Sequence, residues 1–67
     1  MEILLNGEKE VLDKDYTLME LLQKFELSPD RINVSINGSI VQKEIFDSLV
    51  VKNGDSVDIL FFMGGGQ

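Results

Sequence analysis

Apolar and polar residues alternate from Ile32 to Ile36, with Ile32, Val34 and Ile36 set against Asn33 and Ser35, and period 2 recurs in the last strand, with Val57, Ile59 and Phe61 on one face and Asp58, Leu60 and Phe62 on the other. Period-2 alternation predicts strands with one buried and one wet face. A helical period replaces it at Leu18, Leu21, Leu22 and Phe25, whose spacing predicts one buried stripe on a helix of roughly nine residues or a little more. Asp15 or Thr17 is the candidate cap, and Glu20 completes a T-x-x-E capping box with Thr17. Ser28-Pro29-Asp30 is expected to end the helix.

Turn signals divide the rest. Asn6-Gly7 separates an opening strand, 1–5, from a returning strand, 8–12, and Asn37-Gly38 separates 32–36 from a short strand, 39–41. Ile45, Phe46 and Leu49 suit a single helical turn plugging one end of the core. Val50 and Val51 lead to a third turn, Asn53-Gly54-Asp55, and then to the last strand. There the alternation predicts Val57, Ile59 and Phe61 inward and Leu60 and Phe62 outward, although a slip of one residue exchanges the faces. The order β-β-α-β-β-turn-β fits an α+β β-grasp roll, a mixed sheet of about five strands around one helix. The last strand is expected to lie parallel to the first, with the helix covering one sheet face. Residues 1–63 form the predicted domain and 64–67 a flexible, glycine-rich tail.

Size and composition restrict what such a roll does. A chain of 67 residues is one domain with little room for a deep catalytic pocket. Twelve acidic and six basic side chains give a net charge of -6, the wrong sign for nucleic acid or an anionic membrane. The charge serves solubility or steers the domain toward a basic protein surface. Cysteine and histidine are absent, which removes the thiol nucleophile, the commonest general base and the usual transition-metal ligands. Asp13-x-Asp15 lacks the remaining oxygen ligands and the glycine of a calcium loop. The reading is therefore of a protein that is not itself an enzyme and binds no cofactor or metal. The first residues are too quickly followed by charge for a signal peptide and no apolar run reaches membrane-spanning length, so a cytoplasmic monomer is expected. Tyr16, Phe25 and Phe46 are read as packing residues.

One feature carries chemistry. Gly64-Gly65-Gly66-Gln67 directly follows a hydrophobic strand, and ordering three glycines costs more conformational freedom than ordering any other three residues. A frayed terminus is the plain reading. The chemical one is a tail that reaches into a partner's active site: residues 63–66 extend on the order of 10 Å at about 3.3 Å per residue, and glycine lets a backbone pass a narrow channel. An activating partner must also hold the domain, and Leu60, Phe62 and Met63 are the candidate apolar patch. Asp55 and Asp58 are candidates for pairing with its basic residues, or else turn formers and solvated side chains.

The run Ile36-Asn37-Gly38-Ser39-Ile40-Val41, then Asn53-Gly54-Asp55-Ser56-Val57, then Phe61-Phe62-Met63-Gly64-Gly65-Gly66 resembles the ThiS family of sulfur carriers across residues 1–66. More distantly, the chain is similar to the molybdopterin-synthase small subunit and to ubiquitin-like modifiers. The resemblance implies that the terminal glycine, Gly66 with Gly65 as second choice, is adenylated by a ThiF-like adenylyltransferase using ATP and Mg2+. Sulfur from a cysteine desulfurase or sulfurtransferase then converts it to a thiocarboxylate, delivered to a ThiG-like thiazole synthase in thiamine biosynthesis. Molybdopterin or another pathway, protein modification, and a plain interaction domain stay open as alternatives. Gln67 departs from the pattern, because the family's reactive glycine is the last residue. It is trimmed in the cell, tolerated by the partners, or a remnant of recombinant production; trimming is the expectation.

Overall fold

The structure, a computed structural model, describes residues 1–61. Strands β1 (Glu2–Leu5) and β2 (Glu8–Val11) form an antiparallel hairpin closed at Leu5 and Glu8. Asn6 and Gly7 both have positive φ, +50° and +83°, the pattern of a tight turn whose twist matches that of the strands. Asn37 and Gly38 repeat it, at +52° and +87°, between β4 (Ile32–Ile36) and β5 (Ser39–Val41). At the third signal only Gly54 is positive, at +88°, and Asp55 N–H donates to the Lys52 carbonyl at 3.0 Å. Those signs describe a type II turn, and β7 (Ser56–Phe61) follows it.

The main sheet runs β2-β1-β7-β4-β5. The last strand thus lies at its centre, parallel to β1 and antiparallel to β4, as the predicted crossover requires. Ile3, Ile32, Val34, Val57 and Ile59 on one sheet face meet Leu18, Leu21 and Leu22 of helix α1 (Leu18–Lys24), all of them buried. The opposite sheet face has no helix on it among the described residues. No helix among these residues is long and apolar enough to cross a membrane.

The predicted capping box is present: Glu20 N–H donates to Thr17 Oγ1 at 3.1 Å and Thr17 N–H to Glu20 Oε1 at 3.0 Å. Thr17→Ala is expected to cost about 1 kcal/mol, seen as a lower urea midpoint with unchanged slope. Two further donors of the first turn, Leu18 N–H and Met19 N–H, reach the carbonyls of Leu49 (2.8 Å) and Phe46 (2.9 Å). The helix entry is thereby tied to the loop that carries Phe46.

Several details differ from the sequence reading. The helix stops at Lys24, before Ser28-Pro29-Asp30. Leu27 N–H donates to the Leu22 carbonyl (2.8 Å) and Glu26 N–H to that of Gln23 (3.0 Å), with Glu26 at φ +60°. This is a Schellman ending in which glutamate takes the left-handed place usually held by glycine. Pro29–Arg31 instead makes a 3-10 turn into β4. Val50–Val51 is a strand, β6, paired antiparallel with β3 (Tyr16–Thr17) in a second, two-stranded sheet. In the 3-10 turn Lys43–Ile45 and its exit, Phe46 is buried while Ile45 faces outward at 44% exposure.

Phe61 shares the inward phase of Val57 and Ile59 but is 51% exposed. It pairs with Ile32, the first residue of β4, two positions past the last buried residue of β7. Alternation decides which side a residue faces, not how far the covering layer extends along the strand.

Candidate functional site

The strand that leads to the glycine run, β7, is held by main-chain ladders and by the side chains of two of the three Asn-Gly turns, Asn6 and Asn37, while the third, Asn53, holds its neighbour β1. Asn37 Oδ1 accepts from Ser56 N–H at 2.9 Å, and Asn53 Oδ1 accepts from Glu2 N–H at 2.7 Å. Asn6 Oδ1 accepts from Ile59 N–H, also at 2.7 Å. Each asparagine therefore supplies both the positive-φ or turn residue and an acceptor for a strand N–H.

Asp55 belongs to this framework. Its Oδ2 accepts from Lys52 N–H at 2.8 Å and its Oδ1 from Asn37 Nδ2 at 3.0 Å, so one carboxylate links the second and third turns. Of its two sequence readings, turn former and partner contact, the geometry supports the first. Asp58 differs, being exposed on the uncovered sheet face.

On that face, register brings together residues far apart in sequence. Ser35 pairs with both Ile40 and Asp58, and Asn33 pairs with Leu60 in the adjacent row. These residues, with Asn6, line a shallow open groove of about 560 Å³. Leu60 faces outward, as the alternation predicts, at 69% exposure, and Ile40 at 76%. Two exposed aliphatic side chains thus flank one carboxylate, Asp58, within a polar floor of asparagine and serine. Ile40 was not anticipated as part of this surface, because its place follows from the β4–β5 register and not from its local pattern. Phe62, Met63, Gly64, Gly65 and Gly66, the other predicted site residues, and Gln67 lie outside the described residues.

Elsewhere the Tyr16 hydroxyl donates to Asp13 Oδ1 at 2.6 Å. That bond draws the Asp13 carboxyl below the ordinary aspartate range and raises the Tyr16 phenol above its own. Lys14 and Lys24 ammonium groups lie 5.3 and 5.6 Å from the centre of the Tyr16 ring, within cation–π range. This cluster anchors the entry to β3 and α1 and lies outside the groove. Among the described residues no group of three or more acidic, histidine or cysteine side chains converges to hold a metal.

Comparison with known proteins adds to this geometry. The ThiS family model matches residues 1–66, through the last of the three glycines. The crystal structure of a thiamine biosynthesis protein (ThiS) from Geobacter metallireducens superposes with a TM-score of 0.86 at 35% identity, covering 98% of this chain and all of that one. A thiazole synthase from Magnetococcus marinus is 31% identical over 67 residues, and one from Paramagnetospirillum magneticum is 30% identical over the same length. The chain spans only 21% of the length of each of these two relatives. With sequence and fold both matching through the whole described domain, this chain belongs to the ThiS family of sulfur carriers.

Proposed function

We propose that the chain carries sulfur on the carboxylate of Gly66 for thiazole formation in thiamine biosynthesis. The observation that supports this most is the continuation of the family match through Gly66, directly beyond the strand at the centre of the sheet. A carboxylate is a poor electrophile. A ThiF-like adenylyltransferase, with ATP and Mg2+, joins the Gly66 carboxylate oxygen to the α-phosphorus of ATP and releases pyrophosphate. The terminal sulfur of a persulfide on a cysteine desulfurase or sulfurtransferase then attacks the acyl carbon and AMP leaves; a thiol attacks the donor sulfur of the resulting acyl disulfide, breaking the S–S bond and leaving the thiocarboxylate on Gly66. The chain presents the reacting group, and the partners supply the catalysis.

Hydrolysis of the Gly66–Gln67 peptide bond comes first, because Gly66 has no free carboxylate while that bond stands; Gly65 is the second choice of reactive residue. Thiazole synthase is the proposed acceptor, in keeping with the relatives of that name that contain a stretch similar to this chain. Leu60, with Phe62 and Met63 next in sequence, is the proposed docking patch, and exposed Ile40 extends it across the groove. Asp58, two residues before Leu60 and across Ser35 from Ile40, suits a basic residue on the partner.

The test is intact mass after incubating a chain ending at Gly66 with a ThiF-type adenylyltransferase, ATP, Mg2+ and a sulfur donor. The expected gain is the mass difference between sulfur and oxygen. Adducts the size of a second protein would indicate a modifier instead, and an unchanged mass with an adenylyltransferase proven active on its own carrier would refute the proposal.

A further inference from the structure

We infer that Asn6 is a positioning residue for the reactive end of the carrier, acting through β7; the inference rests on the function proposed above. Strand β1 pairs with β7 only at Leu4↔Ser56 and Leu5↔Val57. Beyond Leu5 the chain turns away at Asn6 and Gly7, both at positive φ. Asn6 N–H still completes a rung to the Val57 carbonyl at 2.9 Å. In a regular parallel ladder the next rung would run from Ile59 N–H to the main-chain carbonyl of residue 6. Here the side-chain Oδ1 of Asn6 takes that place at 2.7 Å. The amide side chain lengthens the ladder by one rung toward the tail, where the β1 backbone no longer follows.

On its other side β7 is held by β4 as far as Ile32↔Phe61. On the β1 side, among the described residues, Asn6 is the hold past Val57. The Ile59 side chain is buried and the bond to its N–H is part-buried, so water replaces the Asn6 acceptor only in part. Loss of the Asn6 acceptor frees one side of the last three residues of β7, and the direction in which the chain leaves the sheet becomes less defined. A partner then captures the terminal carboxylate less often. Once captured, the carboxylate is aligned by the partner's own site. The effect therefore falls on KM and not on kcat.

The fold provides its own control. Asn37 holds Ser56 N–H by the same kind of bond, but at the start of β7, about 16 Å from its end at about 3.3 Å per residue. Asn6→Gly keeps a residue that accepts positive φ and removes the acceptor. Asn6→Asp keeps the acceptor and tolerates the left-handed conformation. Asn37→Gly removes the comparable bond to Ser56 N–H, and with it the Asn37 Nδ2 bond to Asp55 Oδ1, both away from the tail. The readouts are amide exchange at Ile59 and the KM and kcat for adenylation by a ThiF-type enzyme, on variants shown to be folded by circular dichroism.

In Asn6→Gly the Ile59 amide is expected to exchange faster and KM to rise, each by about threefold to tenfold, with kcat nearly constant. Asn6→Asp is expected to restore both, and Asn37→Gly to leave KM unchanged. Faster exchange at Ile59 with an unchanged KM would overturn the inference alone. An equal rise in KM for Asn37→Gly would do the same, by showing a general loss of stability. If the wild-type chain ending at Gly66 were not adenylated, the proposed function would fall, and this inference with it.

Discussion

Ending the chain at Gly65 is expected to lower thiocarboxylate formation by at least about 10²-fold relative to a chain ending at Gly66, while leaving the fold unchanged. Removing one extended residue withdraws the carboxylate by about 3.3 Å, and misplacing a reacting group by about 1 Å is enough to cost about 10²-fold. The buried residues of the described core end at Ile59, and the urea midpoint is expected not to move. Replacing Gly66 by Ala keeps the length and adds one methyl group; a partial loss there, smaller than that on deletion, is expected if reach matters more than channel width. Rates from intact mass against time, with matched urea curves, check both. Equal activity for the two chain lengths would contradict the dependence on reach, and higher activity for the chain ending at Gly65 would make Gly65 the reactive position.

Phe46→Ala is expected to remove from about a third to all of the domain's folding stability. Phe46 is 1% exposed and is the largest fully buried side chain among the described residues, and truncating such a residue costs about 3–5 kcal/mol. A domain of 67 residues has a total stability of about 3–10 kcal/mol at about 0.05–0.15 kcal/mol per residue. The substitution therefore removes a third of the stability at best and all of it at worst. It also loosens the loop whose Phe46 and Leu49 carbonyls receive the first N–H groups of α1. Phe46→Leu, which retains most of the volume, should fold with a smaller loss. Circular dichroism and urea titration distinguish these outcomes; a cooperative Phe46→Ala domain within 1 kcal/mol of wild type would contradict the packing described.

The parts of this fold that were legible in the sequence are those with a local signal long enough to repeat. Val34 and Ile59 face the core because alternation places them there, Thr17 and Glu20 form their box, and Asn6-Gly7 and Asn37-Gly38 make the turns that their positive φ values suit. The parallel pairing of β1 with β7 followed from topology. Features without a local signal were not legible. Tyr16–Thr17 and Val50–Val51 are strands of two residues, too short to display a period. Glu26 takes the left-handed position without being glycine, so the helix end carried no mark. The outward face of Leu60 was readable from its strand, but its neighbour Ile40 depends on register across β4 and β5. The hold of Asn6 on Ile59 joins residues 53 positions apart, and in the sequence Asn6 reads only as half of a turn.

The central claim is that Gly66 is the sulfur-bearing terminus once Gln67 has been removed. Intact mass of the protein taken from its native cells, growing without external thiamine, tests it most directly. The account predicts a population ending at Gly66, part of it heavier by the difference between sulfur and oxygen. A pool in which Gln67 persists on every thiocarboxylate-bearing molecule, or in which no thiocarboxylate occurs, would contradict it.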